Sequence, residues 1–275
     1  MAQADGGALQ GLSIDAELAR ERLDVAGDRV VAMLRSGVDG ESAVPGLEWS
    51  AVECAAHLVT ALRGAARYAR GEPAPVATPA EVADVNAARV ADLDERDPKG
   101  LADLLEEACA GFVDELRERR PDQPVEWYQR EADLDLAAMA CVMLTELLVH
   151  GLDIARSADR RWTIEPGDAR LAISGTLRLL PSYVDAQAAT GLDARYELRV
   201  RGGPRVGLRF VDGQLGLEVP PDAPVDCHLS ADPVAYLLVA YGRRSQWPAI
   251  LTGKLVAWGR KPWLGMRFAA LFHRP

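Results

Sequence analysis

The spacing of apolar residues changes near residue 160, and this change constrains the fold more than any other feature of the chain. Over residues 1–160, apolar residues recur every three to four positions in five segments, which is the periodicity of amphipathic helices. Ser50 and Glu53 have the spacing of a capping box at the start of the second segment. Because short loops separate these segments, we predict an up-and-down bundle of four or more helices.

The second half, residues 161–275, has a different character. A helix predicted over residues 167–182 leads into segments such as "ARYELRVRGG" and "RVGLRFVDGQLGLEV", in which polar and apolar residues alternate as they do in half-buried strands. Asp212-Gly213 is a hairpin turn signal within this region. We therefore predict a chain of two domains, an α domain followed by an α+β domain with an antiparallel sheet.

The composition is that of a soluble globular protein. The chain has 275 residues, of which 49% are hydrophobic and 26% are charged, and this is enough for two domains with buried cores. Its net charge of −10 disfavours nucleic acids and anionic membranes as partners, since both attract basic surfaces. No run reaches the ~18 consecutive apolar residues of a membrane span, and the N-terminus lacks the features of a signal peptide. We therefore predict a cytoplasmic protein.

Glu146 and His150 are the unusual residues of the last helical segment. The residues around them, from Met139 to Val149, are almost all apolar, so this helix is expected to be buried nearly all round. Together with Asp153 they follow helical spacing and form one polar stripe. A buried carboxylate either shifts its pKa or pairs with a cation, and a metal ion would supply such a cation. The alternative is an ordinary Glu–His pair without a metal.

A metal site needs a third ligand, and His57 is the best candidate. It lies on another predicted helix of the same bundle, also among alanines and aliphatic residues, although such a histidine is often only a core residue. The four cysteines form no CxxC pair and are interpreted as reduced core thiols. Two imidazoles and one carboxylate suit zinc, and Fe(II), Ni(II) and Mn(II) accept the same ligand types. Three protein ligands would leave an open position, which is typical of a catalytic site.

Two helical motifs resemble those of a known family. "EWSAVECAAHLVTAL" is similar to the motif of tryptophan, hydroxyl residue, acidic residue and His-Leu in DinB-like bundle proteins. Together with "TELLVHGLDIA", it resembles the N-terminal domain of mycothiol-dependent maleylpyruvate isomerases. The second half, especially "LSADPVAYLLVAYGR", is similar to the sterol carrier protein type two fold that this family carries at its C-terminus. The resemblance thus implies a DinB-like metal-binding bundle over 1–160 and a sterol-carrier-like α+β domain over 161–275.

The resemblance also implies an activity. In the family, the residues that match His57, Glu146 and His150 bind zinc, and the metal activates the thiol of mycothiol, the cysteine-derived thiol of actinobacteria. The founding member isomerises a cis to a trans double bond by adding and then eliminating that thiol, and other relatives are thiol S-transferases or are uncharacterised. The resemblance therefore predicts a zinc-dependent, mycothiol-using isomerase or transferase that acts on an electrophilic small molecule.

Three further residues take roles only through this resemblance. Asn86 matches an asparagine of the family's third helix and is predicted to contact the thiol cosubstrate. The family also uses an arginine from its C-terminal domain, for which Arg243 and Arg260 are the candidates. A guanidinium at such a site would bind a substrate carboxylate through two parallel hydrogen bonds.

Two other functions stay open at this point. One is a metal-dependent hydrolase, in which water fills the open position and is activated by the metal. The other is a non-catalytic protein whose C-terminal domain binds an apolar small molecule and whose metal is structural or absent. A hydrolase would turn over without a thiol, whereas the predicted mycothiol-using enzyme would not. Metal content distinguishes both enzymes from the non-catalytic binding protein.

Overall fold

The computed structural model of the chain describes residues 12–129, 132–218 and 224–273. These residues divide into two compact units. One unit is Asp15–Asp168, and the other consists of residues 12–14 together with the chain from Ala169 onward. The division therefore falls somewhat beyond the predicted boundary near residue 160.

The first unit is a helical bundle, as predicted. Its helices are α1 (Ala16–Arg35), α2 (Ala51–Ala69), α3 (Val82–Ala91), α4 (Pro98–Glu118) and α5 (Leu136–Ser157). The four long helices α1, α2, α4 and α5 pack on one another, and the short α3 packs on α2. The five helical segments of the sequence are thus confirmed.

The four long helices begin where the sequence supplies oxygen acceptors for free backbone N–H groups. Asp15, Asp97 and Asp135 cap α1, α4 and α5 through their side chains. Ser50 and Glu53 form the predicted capping box at the start of α2, in which each side chain accepts a hydrogen bond from the backbone N–H of the other. These caps fix the start of each helix and hence the faces that α2 and α5 present to each other.

Helix α5 lies in the core of this unit. By length and composition it is the one helix of the described residues that could cross a membrane, but 89% of its most apolar window is buried inside the protein. Gly151 allows its close packing: a Cβ atom there would lie 2.3 Å from the indole of Trp162. That indole donates a hydrogen bond from Nε1 to the carbonyl of Leu148 at 3.0 Å. This long apolar helix is therefore a core helix of the bundle.

The second unit combines helices with one sheet. The division between the units falls within α6 (Pro166–Leu179). The elements that follow are β1 (Ala194–Val200), β2 (Arg205–Val211), β3 (Gln214–Glu218), β4 (Cys227–Ala231), α7 (Pro233–Ala240), α8 (Gln246–Leu251), β5 (Leu255–Trp258) and α9 (Leu264–Arg267). Asp212 and Gly213 form the predicted turn between β2 and β3. Both residues have a positive φ, as a two-residue hairpin loop of type I′ requires.

The sheet is mixed and not purely antiparallel, which corrects the prediction. The strand order is β3-β2-β1-β4-β5, and β1 pairs with β4 in parallel whereas the other three pairs are antiparallel. Alternation of polar and apolar residues indicates a strand with one buried face, but it is the same for both directions of pairing. The α+β class could therefore be predicted from the sequence, but the parallel pairing of β1 with β4 in the middle of the sheet could not.

One face of the sheet carries a buried carboxylate. Glu197 on β1 is fully buried and binds Arg199, Arg205 and His228 from three strands; its Oε2 lies 2.6 Å from Arg199 Nε and 2.5 Å from His228 Nδ1. Burial would raise the pKa of the Glu197 carboxyl, but the hydrogen bonds from Arg199, His228 and Arg205 outweigh it and lower the pKa. The carboxylate therefore ties β1, β2 and β4 together in its ionised form.

Candidate metal centre

Helices α2 and α5 bring His57, Glu146 and His150 together. Glu146 Oε2 lies 3.0 Å from His57 Nε2 and 3.4 Å from His150 Nε2. One donor atom from each of the three side chains lies within 4.8 Å of the others, and the two imidazole rings meet edge to face with centroids 4.8 Å apart. Two nitrogens and one carboxylate oxygen thus converge on one point in the bundle.

The site is enclosed but not sealed. His57 and His150 are 5% and 9% exposed, whereas the Glu146 side chain is 18% exposed. Trp49, just before the start of α2, covers both imidazoles, with its ring centroid 5.1 Å from that of His57 and 6.2 Å from that of His150. Solvent therefore reaches the cluster on the side of the carboxylate.

The environment sets a different charge on each donor. Burial would raise the pKa of Glu146, but hydrogen bonds from His150 and His57 lower it strongly, so the group is a carboxylate. Burial lowers the pKa of His57, and its imidazole is neutral at pH 7. Burial would also lower the pKa of His150, but Asp153, Cys54 and Glu146 raise it well above the usual value. Glu146 and His150 thus form an ion pair beside the neutral His57.

A second group of possible donors shares His150. Cys54, His150 and Asp153 also have donor atoms within 4.8 Å of one another, and all three are buried. Asp153 Oδ2 lies 3.1 Å from His150 Nδ1, on the opposite side of the ring from Glu146. A carboxylate in this place orients an imidazole so that its other nitrogen faces the metal. We therefore interpret Asp153 as the residue that positions His150.

The donor set fits a divalent transition metal. Two imidazoles and one carboxylate are ligands of Zn²⁺ and of its neighbours in the first row, and they would leave one coordination position open. His57 Nδ1 is buried without a hydrogen-bond partner, and Nε2, which lies 3.0 Å from Glu146 Oε2, carries the proton of the neutral ring. The residues predicted from the sequence are thus the ones that the structure brings together.

The other three predicted site residues lie on α3 and in the second unit. Asn86 is half-buried on α3, one turn before Arg89. In the second unit, Arg260 binds Asp226 Oδ1 at 2.6 Å with a largely exposed side chain, and Arg243 donates to the carbonyl of Tyr241 at 2.7 Å. These contacts are ordinary structural ones within that unit, and the roles of the three residues stay predictions.

Sequence reasoning missed a polar cluster close to the donors. Arg89 on α3 donates from Nη1 to the hydroxyl of Tyr128 at 2.5 Å and from Nη2 to the hydroxyl of Tyr68 at 2.6 Å. Burial is the main cause that lowers the pKa of His57 and raises the pKa of Tyr128; the Arg89 cation adds to the first shift and the charge of Glu146 adds to the second, so the cluster lies close to the centre. No motif marks these residues, since they come from three separate segments.

The chain is similar to a known protein family and to solved structures. The family described as the mycothiol maleylpyruvate isomerase N-terminal domain matches residues 15–155. A crystal structure of the mycothiol-dependent maleylpyruvate isomerase is 18% identical, with a TM-score of 0.51, over 89% of this chain and 93% of that one. A histidine-to-alanine mutant of that isomerase gives 17% identity and a TM-score of 0.52 over the same shares. No curated protein matches the chain.

Proposed function

The chain belongs to the mycothiol maleylpyruvate isomerase N-terminal domain family, and from this membership we propose that it is a metal-dependent enzyme that uses mycothiol to attack an electrophilic small molecule. The outcome is isomerisation or transfer of the thiol to the substrate. The observation that carries the proposal is the convergence of His57, Glu146 and His150 within 4.8 Å in the bundle. The fold similarity to a mycothiol-dependent isomerase supports the choice of thiol.

The side chains of the site have separate tasks in this proposal. His57, Glu146 and His150 hold a divalent metal, of which zinc suits the donors best. Such a metal, when bound, lowers the pKa of a thiol so that the nucleophilic thiolate exists at neutral pH. Asp153 keeps the His150 ring in place, and Trp49 excludes water from one side of the two imidazoles.

The remaining expectations belong to the same proposal. Asn86 contacts the thiol cosubstrate, and Arg243 or Arg260 meets a carboxylate of the substrate. The second unit is a sterol-carrier-like domain, which its α+β composition supports. The acidic net charge of −10 supports small molecules, and not nucleic acids or membranes, as partners, and a cytoplasmic location belongs to the same proposal.

Elemental analysis of the purified protein tests the centre. We expect one equivalent of metal in the wild type and its loss in His57→Ala, Glu146→Ala and His150→Ala. His273→Ala is the matched control, because His273 lies in the second unit and belongs to no group of possible metal donors among the described residues. A wild type that stays free of metal after incubation with zinc would contradict the proposal.

Turnover assays then test the thiol. An electrophile with an activated cis double bond is incubated with the metal-loaded protein, with and without mycothiol. We expect turnover only when the thiol is present, and none with Glu146→Ala. Turnover that does not depend on thiol, with water as the nucleophile, would instead identify a hydrolase.

A further inference from the structure

We propose that a second copy of this chain docks on an apolar and basic surface of the second unit through the acidic face of its own helix α1. This C-terminal surface consists of Trp247 and Leu251 on α8 and of Trp263 and Met266 at α9. The inference concerns association between copies and does not depend on the proposed metal centre.

The first argument is the exposure of four large apolar side chains. Trp247 and Trp263 are each 56% exposed, Met266 is 53% exposed and Leu251 is 85% exposed. Trp247 and Leu251 are one turn apart and share a face of α8. Gln246 Nε2 donates to the carbonyl of Met266 at 3.4 Å, so the start of α8 lies beside α9. Single apolar residues on a surface are ordinary, but a cluster with two tryptophans marks an interaction site.

The second argument is the basic character of the chain around this surface. Residues 233–275 contain seven Lys and Arg and no Asp or Glu. Arg244, Lys254 and Arg267 are exposed, and each lies within three positions of a side chain of the C-terminal surface. Tryptophan, methionine and arginine are enriched in protein interfaces, and basic residues around such a site favour an acidic partner.

The third argument is the unequal division of charge between the two units. Residues 15–168 contain 32 Asp and Glu and 17 Lys and Arg, which gives a net charge of −15. Residues 169–275 contain 8 Asp and Glu and 14 Lys and Arg, which gives a net charge of +6. Contact between two C-terminal surfaces would therefore bring like charges together, whereas contact with the helical unit of another copy brings unlike charges together. The chain itself supplies the acidic partner.

Helix α1 carries a face that complements the C-terminal surface. At about 100° per residue, six of its positions lie within an arc of about 120°. They are Glu17, Leu18, Glu21, Asp24, Val25 and Asp28. Among the described residues of the helical unit, the exposed large apolar side chains are Leu18, Val25 and Val76, and the first two share this face. The acidic face of α1 thus combines apolar side chains with carboxylates, as the C-terminal surface combines apolar side chains with cations.

An anionic lipid membrane is the competing partner. Exposed tryptophan with lysine and arginine is also typical of proteins that lie on a membrane surface. The helical unit, however, has a net charge of −15 and would be repelled by such a membrane. A membrane also leaves the apolar residues of the acidic face of α1 without a partner. The distribution of charge therefore favours a second copy of the chain.

Sedimentation velocity over a range of protein concentrations tests the proposal. We expect the wild type to change from monomer to a larger species as its concentration rises, and this association to weaken at high salt. One variant combines Glu21→Lys with Asp28→Lys on α1, and the other combines Arg244→Glu with Lys254→Glu at the C-terminal surface. Each variant should raise the Kd of self-association roughly 10-fold or more.

A mixture of the two variants separates pairing from a general defect. In the mixture, the lysines introduced on α1 of one variant meet the glutamates introduced at the C-terminal surface of the other. The reciprocal contact has the wild-type residues on both sides. We therefore expect the mixture to associate about as strongly as the wild type, although neither variant does so alone. The matched control is Glu41→Lys with Glu118→Lys, which makes the same charge change at exposed positions of the helical unit outside the acidic face of α1.

Three results would overturn the proposal. The first is a wild type that stays monomeric at every concentration, also at low salt. The second is self-association that either variant leaves unchanged, or that the mixture does not restore. The third is binding of the monomer to vesicles of phosphatidylserine and phosphatidylcholine that is lost in the Arg244→Glu, Lys254→Glu variant, because the C-terminal surface would then belong to a membrane. Metal content should equal that of the wild type in both variants, so this test is distinguishable from a test of the metal centre.

Discussion

Replacement of Gly151 by alanine is expected to destabilise the helical unit, although glycine is a poor helix former. In an exposed helix the same change gains up to ~1 kcal/mol. At Gly151, however, the new Cβ would lie 2.3 Å from Cζ2 of Trp162 and 2.8 Å from Cε2 and Cη2. No Cβ atom tolerates such contacts, so the indole must shift.

The indole resists that shift. Its Nε1 donates to the carbonyl of Leu148 at 3.0 Å, and the guanidinium of Arg29 lies over the ring at 4.1 Å. Overpacking of this kind costs ~1–3 kcal/mol and a lost hydrogen bond costs ~1 kcal/mol. After the gain in helix propensity, we expect Gly151→Ala to lower the free energy of unfolding by about 1–3 kcal/mol.

A double-mutant cycle tests the cause. In a Trp162→Ala background the clash is absent, so Gly151→Ala should there stabilise the protein by up to ~1 kcal/mol. The free energy of unfolding is measured by urea denaturation and followed by far-ultraviolet circular dichroism. Gly111→Ala on α4 is the control, because nothing lies within 4 Å of its Cβ position and a small gain is expected. Additivity of the two changes within ~0.5 kcal/mol would refute the argument.

Three further predictions concern the sheet, a helix cap and the metal centre. Glu197→Gln should lower the free energy of unfolding by about 1–3 kcal/mol at pH 7. Because the folded-state pKa of Glu197 is lowered, its carboxylate stabilises the protein fully above the unfolded pKa of ~4.3, and this stabilisation is lost as the pH falls through the folded pKa. In urea denaturation, the difference in free energy of unfolding between wild type and variant should therefore be smaller at pH 3 than at pH 7. An equal gap at both pH values would contradict this. Ser50→Ala should lower the free energy of unfolding by ~1 kcal/mol in the same assay through loss of the cap at α2, and a neutral result would show that the cap adds nothing. Zinc at 100 times its Kd should stabilise the wild type by ~2.7 kcal/mol, seen as a higher Tm that a chelator reverses, whereas His57→Ala should not respond; an equal response in both proteins would place the zinc elsewhere.

The helical half was largely predictable because its signals are local. Periodicity and caps lie within one segment, so the capping box of Ser50 and Glu53 could be identified from their spacing alone. The donor triad was also predictable, because a carboxylate and two imidazoles are conspicuous among aliphatic residues. A buried carboxylate and imidazole at Glu146 and His150 predict a metal site, and such a site needs a third ligand from another helix.

The structural features that the sequence did not predict depend on contacts between distant segments. The parallel pairing of β1 with β4 is set by the path of the chain between them and not by the pattern of either strand. Arg89 resembles any other helix arginine until Tyr68 and Tyr128 are placed around it. Glu197 alternates with apolar neighbours as an exposed strand residue would, yet it is fully buried under side chains from two other strands.

The division of the chain into units has a consequence for its synthesis. The helical unit is continuous over Asp15–Asp168, and its donors on α2 and α5 are 89 positions apart between His57 and Glu146. Domains fold as units from the N-terminus while the ribosome is still at work. The nascent chain can therefore bring His57, Glu146 and His150 together before the whole sheet has been made. Leu12, by contrast, is buried and belongs to the second unit. Its carbonyl accepts a hydrogen bond from Arg178 at 3.5 Å. One of the first described residues therefore reaches its native contacts only after the second unit has been synthesised.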